Sequence, residues 1–262
     1  MKKRVLSPTE ITEQVNEFWD FIGNSYIIPG HYLKPLCDKY LKWKAEGRLG
    51  PFPPLAQRLV GHATNFLKFK KDWDKDPIKK HVRSKLRDNN LVRPLLFEFR
   101  AATHFLLANK DAIWLANIGN KPEPDIKVIT QSNKVVYVEC IRKNEKEVRI
   151  VNDKVLRLDI IKGLRDKNKQ RMDFDNALQI AVYIPEEYSW NQESFNSEIG
   201  EEIQSRFDRS EYNSISGLTV VSYESPIPKL RSDGQYSYSL SSPAITFLNR
   251  NARFPLPYDF HP

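Results

Sequence analysis

Cysteine is scarce in this chain, and its scarcity narrows the field of functions. The 262 residues hold two cysteines, Cys37 and Cys140. Neither has a Cys-x-x-Cys partner or a histidine at metal-ligand spacing, so a zinc site is not expected. Two cysteines make no disulfide framework, which fits a reducing compartment and predicts a cytoplasmic protein. Long apolar runs are missing too. None approaches the ~18–20 residues a membrane-spanning helix needs, so no membrane partner is expected. The N-terminal MKKRVLSPTE starts basic but is not followed by the apolar stretch of a secretory signal. There is no internal repeat and no low-complexity segment. The patterns GxxxxGK[ST], GxGxxG and GxSxG are absent, which removes a nucleotide-binding loop and the simplest serine-hydrolase arrangement. The histidines, His31, His62, His81, His104 and His261, show no metal spacing, and His104 falls in an apolar helical pattern that marks it as a core residue.

What the chain does have is positive charge. Lys and Arg total 41 against 33 Asp and Glu, a formal balance of +8. Charged residues make up 28% and hydrophobic residues 40%, so a folded core is expected and not disorder. A basic balance favours an anionic partner, nucleic acid being the commonest; the competing reading is a solvated surface with no partner. The stretch from Lys68 to Asp88 concentrates the charge, with Phe69 and Trp73 among the basic residues. Basic residues interleaved with aromatics suit phosphates and unstacked bases, which makes Lys68, Lys70, Lys71, Lys79, Lys80, Arg83, Lys85 and Arg87 candidate nucleic-acid contacts. Charged solvent faces of helices would look the same.

Periodicity predicts the architecture. Ser7, Pro8 and Glu10 form a capping-box pattern ahead of Ile11, Val15, Phe18 and Phe21 at helical spacing. Further helices are expected over His31–Ala45, Leu55–Lys71 and Pro94–Leu107, the last apolar on most sides except at Glu98, Arg100, Thr103 and His104. The rhythm then changes to period two. Strands are expected over Asp111–Ile118, Asp125–Thr130 and Lys134–Lys143, a helix over Asn152–Met172, a strand over Ala177–Ile184, a helix over Glu193–Asp208 and a strand over Leu218–Tyr223. Edge strands are expected over Tyr236–Leu240 and Ala244–Leu248. Trp114, Tyr137 and Tyr183 fall in strands and read as core. The order predicts an α/β protein: a mixed central sheet flanked by helices over residues 91–262, with an N-terminal helical extension over 1–90.

Three acidic residues fall suggestively in that order. Glu98 lies in the helix before the first strand, Asp125 opens the second strand, and Glu139 lies in the third. Two antiparallel strands joined by a short turn can bring Asp125 and Glu139 side by side. Phosphodiester hydrolysis needs this kind of arrangement: a hard cation on one or two carboxylates, and a lysine to orient water and neutralise charge.

Pro124–Asp125, Glu139 within VYVEC, and the preceding helix with Glu98 resemble the PD-(D/E)xK nuclease superfamily over about residues 94–185. The resemblance implies a restriction-endonuclease-like core and a magnesium-dependent endodeoxyribonuclease, with DNA favoured over RNA. It implies that Asp125 and Glu139 ligate Mg2+ or Mn2+ and that Glu98 supports them. A homodimer is compatible with it, since nucleases of this fold often pair to cut two strands. One position departs: the family's lysine two residues after the glutamate is here Ile141. Lys143 shares the strand face of Glu139, but its Cα lies ~13 Å away at ~3.3 Å per residue. On the following helix, Lys167 and Gln170 share a face with Leu164, whereas Lys169 points away. Lys167 is therefore the first candidate to replace the lysine and Lys143 the second, with Gln170 as a further polar contact. Two other readings stay open. One is a nuclease-fold module without catalysis that binds nucleic acid or protein; the other is an unrelated α/β protein with a basic surface.

Overall fold

The computed structural model describes residues 7–47, 52–116, 123–141, 153–169, 175–183, 192–221, 227–230, 236–239 and 244–261. They fall into two compact units, one within 1–100 and 224–242, the other within 101–223 and 243–262.

The first unit is helical. α1 (Pro8–Ile22) starts at the expected capping box: the Glu10 N–H donates to Ser7 Oγ at 3.2 Å, and the Ser7 N–H donates to Glu10 Oε2 at 2.8 Å. Its apolar stripe, Ile11, Val15, Phe18 and Ile22, is fully buried. α2 (Leu33–Ala45) and α1 both pack on α3 (Pro54–Lys68). The helix expected to run to Lys71 breaks at Phe69, and α4 (Lys70–Trp73) follows it. The break turns Trp73 inward, where its Nε1–H donates to the Phe66 carbonyl at 3.0 Å and its ring lies 4.3 Å from that of Phe66. α5 (Ile78–Arg87) buries Val82 and Leu86. α6 (Val92–Ala108) begins in this unit and ends in the other.

The second unit is α/β, with a mixed six-stranded sheet flanked by helices. β1 (Asp111–Trp114), β2 (Ile126–Ile129) and β3 (Val135–Ile141) form an antiparallel meander. α7 (Asp153–Lys169) leads to β4 (Ala177–Tyr183), which is parallel to β3. α8 (Gln192–Phe207) leads to β5 (Gly217–Val221), parallel to β4. Parallel neighbours require such crossovers. β5 is buried at every residue, as a central strand covered on both faces should be. In the helical unit, β6 (Ile227–Leu230) and β7 (Tyr236–Ser239) pair in a separate two-stranded sheet. β6 is not among the expected strands, and Pro228 lies within it. β8 (Ala244–Leu248) closes the main sheet as the expected edge strand, antiparallel to β5, giving the order β1-β2-β3-β4-β5-β8.

One core of this unit joins α7, α8, β4 and β5. It is built from Ile160, Leu164, Ile180, Ile203, Phe207 and Leu218 among others, with Tyr137 and Ile141 of β3 packed against it. Trp114 is buried, as expected of a core aromatic.

The β2–β3 turn is held at two levels. Asn133 adopts the left-handed conformation (φ 63°) that asparagine tolerates, and its N–H donates to the Thr130 carbonyl at 3.0 Å. The segment after β8 then grips the turn: the Asp259 carboxylate accepts from the Ser132 N–H at 2.6 Å and from its hydroxyl at 3.0 Å. Phe260 stacks on Phe105, and Asn109 exchanges hydrogen bonds with the His261 backbone. Register fixed at the turn is register fixed at the opposite end of β2 and β3, where Asp125 and Glu139 lie. Among the described residues no helix is long and apolar enough to cross a membrane.

Candidate active site

Asp125 sits just before β2. Ile126 pairs with Val138, so one step further places Asp125 at the level of Glu139. The Asp125 backbone is tied on both sides: its N–H donates to the Val138 carbonyl at 3.0 Å, and its carbonyl accepts from the Leu115 N–H at 2.8 Å. Its carboxylate is aimed by the neighbouring strand, Oδ2 accepting from the Cys140 N–H at 2.7 Å. A backbone amide holds the acidic side chain in place, and no residue pattern signals that contact in advance.

Glu139 lies near the carboxyl end of β3, the end at which open α/β sheets bind ligands. It shares a strand face with Tyr137 and Ile141, which pack on the α7–α8 core. The residue is 5% exposed. A carboxylate so placed needs a partner, and α7 provides one: Lys167 Nζ donates to Glu139 Oε1. Lys167 lies one turn beyond Leu164, which is fully buried against the sheet, so the helical face predicted to carry it is the one that meets β3. The second oxygen, Glu139 Oε2, is buried with no hydrogen-bond partner among the described residues.

The electrostatics follow from this geometry. Burial, and after it the negative charge of Asp125, push the Glu139 carboxyl up to about 7, while Lys167 pulls the other way through its charge and its hydrogen bond. Burial and one like charge outweigh one opposite charge. The carboxyl is therefore poised between its two protonation states near neutral pH.

The structure brings together Asp125, Glu139 and Lys167, from the β2 end, β3 and α7. Ile141 packs into the core and carries no charge to the site. Lys143 and Gln170 lie outside the described residues, as does the side chain of Lys169. Glu98 is half-buried on the part of α6 that belongs to the helical unit.

Many of the candidate basic residues have local partners. Lys70 pairs with Glu17 at 2.5 Å, Lys79 with Asp74 at 2.6 Å and Lys80 with Asp76 at 3.6 Å. The Arg83 guanidinium lies over Phe21; that of Arg87 lies 3.6 Å from the Tyr26 ring centroid, and its Nε donates to the Ile22 carbonyl. Lys68 and Lys71 are exposed, and Lys85 is half-buried.

Could these residues hold a metal ion? Among the described residues no group of three or more His, Cys, Asp or Glu side chains is placed to do so. Magnesium does not require one: it is commonly held by one or two carboxylates and keeps several waters. Two carboxylates at one sheet end, one with a buried oxygen lacking a hydrogen-bond partner among the described residues, fit that donor set. No family model, no curated protein and no solved structure matches the chain.

Proposed function

We propose that this chain is a magnesium-dependent nuclease of the PD-(D/E)xK type that hydrolyses phosphodiester bonds in DNA. One observation carries the reading: Glu139, buried in a strand beside Asp125, is met by Lys167 from the next helix and keeps one oxygen without a hydrogen-bond partner among the described residues. Burying a carboxylate beside a second acid works against the fold, and such conflicts cluster at functional sites.

Asp125 and Glu139 would hold the ion; when bound, it polarises the phosphate and supplies hydroxide at neutral pH. Asp125 is oriented by the Cys140 amide, so it need not reorganise to bind. Glu139 must lose its proton to serve as a ligand, which favours binding above neutral pH. The Lys167 ammonium, one-fifth exposed, stands beside Glu139 and can orient the attacking water and offset charge developing on the phosphate. Lys71 and Lys85 would contact the backbone of the nucleic acid. A cytoplasmic location accords with two free thiols, Cys37 and Cys140, and a homodimer would allow two strands to be cut.

A second reading also has an observation in its favour. The Glu139–Lys167 pair already neutralises one carboxylate, and Ile141 stands where the resemblance expects lysine. A module that binds nucleic acid without cutting would keep this geometry. Incubating the protein with linear and supercoiled DNA in Mg2+ or Mn2+, alongside the Asp125→Asn variant, separates the two. Cleavage lost in the variant supports the nuclease. DNA binding with no cleavage by either protein supports the module, and cleavage retained by Asp125→Asn overturns the site.

A further inference from the structure

Gly163 stands in the middle of α7, where glycine is among the poorest helix formers. Its backbone is helical and makes no demand that other residues could not meet. The demand comes from β3. A Cβ at position 163 would lie 2.7 Å from Ile141 Cγ2 and 3.1 Å from Ile141 Cδ1. The helix backbone therefore rests directly on the isoleucine that occupies the family's lysine position.

The spacing of the neighbours completes the picture. From Gly163 to Lys167 is four residues along one helix face, a rise of ~6 Å. From Ile141 back to Glu139 is two residues along one strand face, ~6.6 Å. The two steps match, so a helix running against the strand that sets Gly163 on Ile141 also sets Lys167 on Glu139, and the ion pair is observed there. Ile141 has little freedom to yield, being β-branched and packed against the α7–α8 core.

We propose that Gly163 and Ile141 are a matched pair that seats α7 on β3 and so delivers Lys167 to Glu139. Gly163 is a positioning residue. Ile141 is the floor on which the helix carrying the lysine rests, and thus more than the loss of a strand lysine. The proposal deepens the nuclease reading, since it rests on Lys167 as the assisting cation.

The test is a double-mutant cycle between Glu139→Gln and Lys167→Met, read from urea unfolding at pH 8 with neither metal nor nucleic acid present. In the parent chain the two substitutions should be coupled about tenfold or more in the unfolding constant. In a Gly163→Ala background the coupling should fall below about twofold, and in Gly163→Ala/Ile141→Ala, where the crowding methyl groups are gone, it should return. Overfilling from the other side with Ile141→Phe should abolish it again, which keeps the test decisive if Gly163→Ala alone does not fold. Coupling that survives in Gly163→Ala or Ile141→Phe, or that fails to return in the folded double variant, overturns the proposal. Because cleavage is not the readout, the outcomes are separable. Coupling that responds as expected in a protein that never cuts DNA leaves the positioning intact and removes the nuclease. Cleavage by a protein whose coupling ignores Gly163 does the reverse.

Discussion

Helix α5 and the carboxyl end of β3 are both charged, and they handle charge in opposite ways. On α5 and the segment before it, the basic residues are numerous, mostly on the surface, and answered locally by Glu17, Asp74 and Asp76 or by the faces of Phe21 and Tyr26. At the end of β3 the described residues bring together Asp125, Glu139 and Lys167, and Glu139 is 5% exposed. The first arrangement costs little and gains little, because water screens exposed pairs to a fraction of a kcal/mol. The second holds a carboxyl far from its ordinary ionisation. Charge count and burial of charge thus single out different parts of the chain, and it is burial that picks out Glu139.

The sharpest way to break this contrast is to remove one of the acids at the sheet end. Asp125→Asn keeps the size of the side chain and an oxygen for the Cys140 amide but removes the charge. DNA cleavage in Mg2+ should fall by at least about a thousandfold, to background, with the fold intact by circular dichroism. Lys167→Met should come next. It leaves Glu139 buried without its cation, so the unfolding free energy at pH 8 should drop by about 3 kcal/mol and cleavage by about a hundredfold. An equal substitution on the surface, Lys79→Met, should change stability by less than about 0.5 kcal/mol. If the two lysines cost the same, the distinction between the regions fails.

Glu139 also ties stability to pH, and the sign can be worked out. Its carboxyl binds a proton more tightly folded than unfolded, since burial lifts it from 4.5 to about 7. The folded state is therefore favoured below pH 4.5, and the advantage is lost as pH rises through 7. At 1.36 kcal/mol per pH unit the loss is on the order of 3 kcal/mol. Urea titrations of the parent chain and Glu139→Gln between pH 5 and 8 should show a falling curve for the first and a flatter one for the second, with the variant the more stable at pH 8. A parallel pair of curves would mean that Glu139 titrates normally.

Much of this was legible in the sequence, and the exceptions have physical reasons. The meander, α7 and β4 follow from period-two and period-3.6 patterns, and the turn that presents Asp125 opposite Glu139 follows from QSN. Lys167 could be found because Leu164, three residues earlier, fixes which face of α7 meets the sheet. The Cys140 amide that aims Asp125 could not, since every non-proline residue has one. The break at Phe69 was hidden because Trp73 decides it by packing, not by local propensity. Gly163 left a trace, a glycine inside a helical pattern, but its meaning needed the position of Ile141. The basic stretch was plain to see, yet the partners of Lys70, Lys79 and Lys80 lie in acids whose proximity only the fold sets for Glu17 and only local geometry sets for Asp74 and Asp76.

The smallest expected effect sharpens the comparison from its weak side. If the basic stretch touches nucleic acid, the residues that do so should be those not already engaged by a visible acid, with Lys71 and Lys85 the first to try. Replacing a lysine that contacts one phosphate lowers the slope of log affinity against log salt by about 0.9, whereas a lysine occupied by a neighbouring carboxylate changes it little. Fluorescence anisotropy with a labelled duplex between 50 and 200 mM salt should thus show a shallower slope for Lys71→Gln/Lys85→Gln and an unchanged slope for Lys79→Gln/Lys80→Gln. Equal slopes for both pairs and the parent chain would mean that this surface is only solvated, and would leave DNA binding to the residues around the sheet end.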